Sequence, residues 1–218
     1  MIQRIQLALV AVSLAILVYC HRTADAQELS LFGPLDTDGA ITFFIADGEA
    51  GSGYLPADRD LASWALKAWE RSANGVLRFE PAPEAAALLR VYFVPANFGQ
   101  YGEMRPLLVD GRRGAAVFIR PDTDALGPEI GLGAREDPML RDTIVYLTCL
   151  HELGHALGLI HTSDFADVMY FFGFGGDIPR FFGRYREQLS SRDDIADVAG
   201  LSDGDLAQLR ELYGIVAL

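Results

Sequence analysis

The stretch His151-Glu152-Leu153-Gly154-His155-Ala156-Leu157-Gly158-Leu159-Ile160-His161 constrains this chain more than any other. It reads H-E-x-x-H-x-x-G-x-x-H. On an α-helix four residues advance about 400°, so His151 and His155 leave one face a turn apart. Their ring nitrogens can there meet one zinc ion at about 2.0–2.1 Å. Glu152 falls on the neighbouring flank, placed as a general base for a zinc-bound water without being a ligand, and able to return that proton to a leaving amine. Glycine at 158 lets the backbone leave the helix with positive φ, which brings His161 round as third ligand and leaves a fourth position for water. The chain has four histidines, and all but His21 lie in this stretch. A structural zinc is normally closed by four protein ligands, and no fourth is evident between 151 and 161, so the pattern favours catalysis. A catalytically inactive zinc-stabilised binding module and a narrow-specificity zinc amidase are the alternatives.

The flanks say which elements carry the motif. Asp137-Pro138 reads as an N-cap and first helical position, opening a largely apolar helix that runs through the histidines and should be central and buried. Asp58 is expected to cap a helix to about Asn74, stopped by Asn74-Gly75, with Leu61, Ala65, Ala68 and Trp69 on its inner face. Strands are expected at Ile41–Ala46, Val76–Phe79, Leu89–Val94 and Ala115–Ile119. Arg112, Arg113 and Arg120 flank the last of these and suggest a place nearer an edge, open to an extended peptide by strand addition. Ser202 and Asp205 form a capping-box pattern that opens a final helix to Tyr213, ended by Gly214. The span from Phe171 to Gly200, rich in glycine and aromatics, carries no clear element. No repeat or second domain is evident.

The amino terminus reads separately. Arg4, an apolar run from Leu7 to Tyr19 and Ala24-Asp25-Ala26 together predict a signal peptide over residues 1–26, cleaved before Gln27. Residues 27–218 would then form one secreted or periplasmic domain, off the membrane once the leader is removed, and expected to be a monomer. The formal charge of −12 repels phosphate backbones and anionic lipid heads, which argues against nucleic-acid partners. Of two cysteines, Cys20 leaves with the leader, so Cys149 should be a buried, unpaired residue.

Met169, eight residues after His161 in HTSDFADVMY, and the terminal LSDGDLAQLRELYG resemble the metzincin zinc peptidases and, within them, the matrixins. LASWALKAW, GVLRF and RVYFV follow in the order of the matrixin catalytic domain. The resemblance implies an α/β (α+β) metzincin-type domain: a twisted, mostly parallel sheet, a central zinc-binding helix, a Met-turn and a C-terminal helix. It also implies a zinc endopeptidase acting on proteins or peptides, with Met169 as an apolar floor under the metal and Asp205 buttressing the Met-turn. Tyr170 directly follows the methionine, one residue short of the position where astacins carry a tyrosine ligand.

The sequence also departs from that family. Residues 95–135 hold no histidine for the second, structural zinc of matrixins, so one catalytic zinc is expected. Calcium is possible, but no coordination pattern is recognisable beyond a weak hint in Asp36 and Asp38, where a solvated turn is the simpler reading. No cysteine between Gln27 and the first strand could serve a cysteine switch. Gly204 replaces a familiar aspartate. The connection after Met169 is long, in the region that walls the primed-side pocket of matrixins. There Phe171, Phe172, Phe174, Phe181, Phe182 and Tyr185 either line a pocket or form a local subcore, with surface ion pairs expected across Arg180–Asp197.

Overall fold

The computed structural model describes residues 33–96 and 101–216; the expected leader, 1–26, lies outside the described residues. Five strands, β1 (Ile41–Ile45), β2 (Phe79–Pro81), β3 (Leu89–Phe93), β4 (Gly102–Val109) and β5 (Arg112–Ile119), form one sheet in the order β2-β1-β3-β5-β4. All neighbours are parallel except β4, which runs antiparallel to β5. Alternate residues of β3 (Leu89, Val91, Phe93) and β5 (Ala115, Val117, Ile119) are buried in the main core. Helices α1 (Asp58–Ser72) and α3 (Pro138–Leu157) pack together in that core, and α3 also lies against β4 and β5. Trp69 on α1, fully buried, donates from its indole to the Leu150 carbonyl of α3 at 3.0 Å and ties the two helices near the histidines.

The helix that carries the motif begins and ends on local signals. Asp137 accepts the Met139 N–H at 3.0 Å, Pro138 opens the first turn, and Gly158 stops the helix in the left-handed conformation at φ 103°. Three expectations need correction. Ala115–Ile119 is not itself an edge strand: β5 sits one place in, between β3 and β4, and β4 is the edge strand on that side. Asp110-Gly111, both at positive φ, join Val109 to Arg112 in a two-residue hairpin, and Pro106 is tolerated in β4 because an edge strand leaves half its amides unpaired. Of the three arginines that suggested an edge, Arg113 reaches inward and donates to the Ala156 carbonyl in the last turn of α3, where the helix dipole favours a cation.

The second correction is β2. Asn74 and Gly75 both take positive φ, so the chain is still turning at Val76 and the strand starts only at Phe79. Third, Asp58 is not an N-cap but the first residue of α1. Its buried carboxylate accepts the Leu55 N–H at 2.9 Å and pairs with Arg141 of α3 at 2.8 Å. Removing one partner of such a buried pair costs about 3–5 kcal/mol.

Helix α2 (Pro128–Glu136) precedes α3. The aromatic span resolves into a 3-10 turn at Phe172–Phe174, helix α4 (Ile178–Arg186) capped by Asp177, and a second 3-10 turn at Arg192–Ala196. Its arginines dock it on α3: Arg186 donates to Asp137 at 2.7 Å and Arg192 to Asp142 at 2.8 Å. Helix α5 (Asp203–Tyr213) opens on the Ser202–Asp205 capping box and closes on Gly214 in the left-handed region. Cys149 is free and fully buried, and burial pushes its thiol up, which leaves it inert.

Candidate metal centre

The last turns of α3 put His151 and His155 on one face, and Gly158 turns the chain back toward them. Glycine is required there twice over: its φ is left-handed, and a Cβ would stand 2.6 Å from the Gly33 carbonyl carbon. His161 arrives with its Nε2 3.1 Å from that of His155, and ring nitrogens of all three histidines lie within 4.8 Å of one another. Two rings are held from behind. His151 Nδ1 donates to the Val168 carbonyl at 2.6 Å, and His155 Nδ1 donates to the Leu159 carbonyl at 2.9 Å. Each bond selects the tautomer whose Nε2 lone pair is free for a metal.

These residues fit zinc. Tetrahedral zinc at 2.0–2.1 Å sets its ligand nitrogens about 3.4 Å apart. Burial, with His155 nearby, holds His151 down to about 3, and burial also lowers His155 and His161, so all three are neutral donors at neutral pH. Glu152, 6% exposed beside them, is pushed up to about 8 by burial first and then by the Glu103 charge. A cation among the imidazoles offsets that push and satisfies lone pairs that otherwise face one another.

Behind the histidines the Met-turn is bound by directional contacts. Asp205 accepts the Val168 N–H at 2.9 Å with one carboxylate oxygen and the Met169 N–H at 3.1 Å with the other. Val168 therefore links Asp205, through its N–H, to His151, through its carbonyl. Met169 is fully buried with its sulfur under Gly154, where a Cβ would stand 2.5 Å away, so it floors the turn between the two helical histidines. Tyr170 spends its hydroxyl on the Gly175 carbonyl at 2.9 Å. At Gly204 a Cβ would stand 2.6 Å from the carboxylate of Asp167, a buried residue that accepts from Ser202 Oγ at 2.5 Å and that no sequence motif singles out.

A cavity of about 350 Å³ opens at the histidines. Its lining includes Tyr101–Met104 at the start of β4, Glu152, and the aromatics Phe171, Phe172, Phe181 and Phe182. Gly102 passes directly over Glu152, where a Cβ would lie 2.5 Å from a carboxylate oxygen. The aromatic span is thus pocket and subcore at once, since Phe181 and Phe182 line the cavity and are also buried in the core. Phe174, 64% exposed, is outside that lining. Tyr185 donates to the Val198 carbonyl at 2.6 Å and lines a second cavity of about 490 Å³, which shares Leu147, Val168 and Phe181 with the first. Asp36 and Asp38 form a turn, with the Asp38 N–H on Asp36 at 2.9 Å and Arg112 3.5 Å from Asp36. The histidine triad is the group of metal-competent side chains found among the described residues.

A helix, a glycine turn and a buried methionine arranged in this way define a metzincin-type zinc-peptidase domain. The family model described as Matrixin matches residues 40–175, and the chain belongs to the matrixin family of zinc metallopeptidases. Macrophage metalloelastase of Oryctolagus cuniculus is 31% identical over 102 residues, a match that covers 43% of this chain and 20% of that protein. The chain thus matches about a fifth of the length of this relative. Among solved structures, archaemetzincin from Methanopyrus kandleri overlaps with a TM-score of 0.43 at 15% identity, covering 82% of this chain and 98% of that one. Myroilysin overlaps at 0.42 and 16%, covering 83% and 82%. These overlaps are loose, and the family assignment rests on the sequence match.

Proposed function

We propose that this chain is a secreted, zinc-dependent endopeptidase, made with residues 1–26 as a signal peptide and active as residues 27–218 outside the cytoplasm. The observation that carries the reading is the convergence of three neutral imidazoles and Glu152 on one cavity bordered by the sheet's edge strand. His151, His155 and His161 would hold one zinc. When bound, that ion supplies Lewis acidity that polarises a carbonyl and acidifies water. The Glu152 carboxylate takes the proton of the attacking water and delivers it to the nitrogen of the leaving amine. The outer side of β4, an edge strand of the sheet among the described residues, aligns an extended peptide, and the aromatic cavity accepts an apolar side chain of that substrate.

Both alternatives fit less well. A zinc-stapled binding module calls for a fourth ligand, and no fourth cysteine, histidine or carboxylate joins the three histidines among the described residues. A narrow-specificity zinc amidase has less use for an edge strand beside the cavity. No helix among the described residues is long and apolar enough to cross a membrane.

The test is metal content and cleavage of denatured casein and a quenched peptide library by residues 27–218, beside Glu152→Ala. About one zinc per chain is expected, with chelator-sensitive cleavage that the variant loses while keeping its zinc. Equal zinc in both proteins with no cleavage of any peptide would return the binding module or the amidase, and no zinc in either would end the reading. Amino-terminal sequencing of exported protein should begin at Gln27.

A further inference from the structure

The three histidines are not held alike. His151 and His155 each give their Nδ1 proton to a main-chain carbonyl. No carbonyl or carboxylate among the described residues bonds Nδ1 of His161, the one exposed ring of the three. Phe171 stands against that ring instead, with centroids 4.7 Å apart and planes inclined at 33°.

The main chain fixes this approach. The Thr162 N–H donates to the Met169 carbonyl at 2.9 Å and the Phe171 N–H to the Thr162 carbonyl at 3.1 Å, with Thr162 bridged to Tyr170. The residue after His161 and the residue before Phe171 are therefore bound side by side. Phe174 backs the stack edge-on at 5.4 Å and 89°, and its N–H closes a turn on the Phe171 carbonyl at 3.0 Å.

We propose that Phe171 is the positioning residue of His161. Its ring holds the imidazole in the plane that completes the three-nitrogen site, as the Val168 and Leu159 carbonyls do for the other two. The inference rests on the reading that these histidines hold zinc. The last torsion of a histidine has broad wells, so a ring with neither hydrogen bond nor stacking partner turns freely and binds metal less tightly. An aromatic face both narrows that torsion and keeps water off one side of the ring. Losing one such partner lowers metal affinity by about tenfold.

Zinc transfer to a chromophoric chelator, and the visible spectrum after cobalt substitution, test this on residues 27–218. Phe171→Ala should release zinc about tenfold faster and alter the cobalt bands. Phe171→Tyr, which keeps the planar face, should behave as the unsubstituted protein, and Phe171→Leu, which keeps only apolar cover, should follow Phe171→Ala. If Phe171→Ala does not fold, the leucine and tyrosine variants decide. Unchanged zinc release and cobalt bands in the alanine and leucine variants, with binding lost in His161→Ala, would overturn the role of Phe171 alone. Substitutions that lower melting temperature but leave affinity and spectrum alone would overturn it equally. Equal zinc retention by His161→Ala and the unsubstituted protein would overturn the ligand reading itself.

Discussion

Two stretches meet at the cavity and are held by different forces. From His151 to Tyr170 the chain is bound by directional contacts: imidazole to carbonyl, carboxylate to paired amides, and a left-handed glycine. From Phe172 to Gly200, beyond the ring stacked on His161, it is held by ring faces and arginines. Phe181 meets Phe165, Phe172 and Phe182 at centroid distances of 5.7, 4.9 and 5.3 Å, and Arg184 lies 4.5 Å over its ring. In the proposed function the first stretch positions chemistry, where a small misplacement is costly. The second provides volume, where several arrangements of rings would serve. Substitutions should therefore separate them, with those in the first changing metal and catalysis and those in the second changing stability and substrate choice.

The largest expected effect is at Glu152. Glu152→Ala should lower kcat by about 10²–10⁴-fold, the usual contribution of a general base, and leave zinc content unchanged. Steady-state kinetics beside metal analysis decides. A variant that lost zinc as well would show that Glu152 organises the site rather than serving it, and the division of labour within the first stretch would fail.

Next is Phe181, buried where the two cavities share a wall. Phe181→Ala should lower stability by about 3–5 kcal/mol in denaturant titrations, since a large buried ring leaves a hole. Zinc affinity should stay within a few-fold, and cleavage of a peptide library should shift toward bulkier apolar side chains as the cavities join. Loss of zinc with the ring would mean that the aromatic stretch sets the metal site too, and would collapse the comparison.

These differences also explain what could be read in the sequence. The metal motif, the Asp137-Pro138 start, the Gly158 turn and the Ser202–Asp205 box were legible because each depends on a residue type with one local use. The order of strands was legible only in part. Asp110-Gly111 is a readable hairpin signal, but the strand before it carries Glu103, Arg105 and Pro106 and does not look like one, and so the edge strand β4 stayed hidden. Arg113 pointed to an edge because sequence cannot say that its partner is the Ala156 carbonyl, 43 residues away. Helix α4 was obscure for a related reason. Glycines and rings in its neighbourhood look like loop, and only packing on α3 shows which rings turn inward.

Asp205 tests the first stretch through a longer lever. Asp205→Ala leaves the buried Val168 and Met169 amides without an acceptor and opens the capping box. A loss of about 2–3 kcal/mol is expected. Because the Val168 carbonyl orients His151, zinc affinity should also fall about tenfold, as for other outer partners of metal ligands. Asp205→Asn, which keeps one acceptor oxygen, should lose less of both. Lost stability with unchanged zinc affinity would show that the Met-turn supports the fold and not the metal.

The smallest effect concerns the charges that moor the second stretch. Burial pushes the Asp137 carboxyl up, but the hydrogen bond from Arg186 and the amides of Leu140 and Met139 outweigh it and hold the group below its usual range. A carboxyl lowered by folding adds stability that is complete above its unfolded value, about 3.9, and disappears as pH falls through its lower folded value. Asp137→Asn keeps an oxygen for the Met139 N–H but cannot pair with the Arg186 charge. The pair is partly exposed, so the variant should be less stable at pH 7 by no more than about 1 kcal/mol. Melting curves with chelator present throughout, so that metal loss does not intrude, should show this gap at pH 7 and pH 5 and find it closing as pH falls below the unfolded value of about 3.9. A gap that persists in acid would assign the loss to the helix cap. No gap at any pH would mean that the rings alone hold the second stretch in place, which would sharpen the contrast with the first.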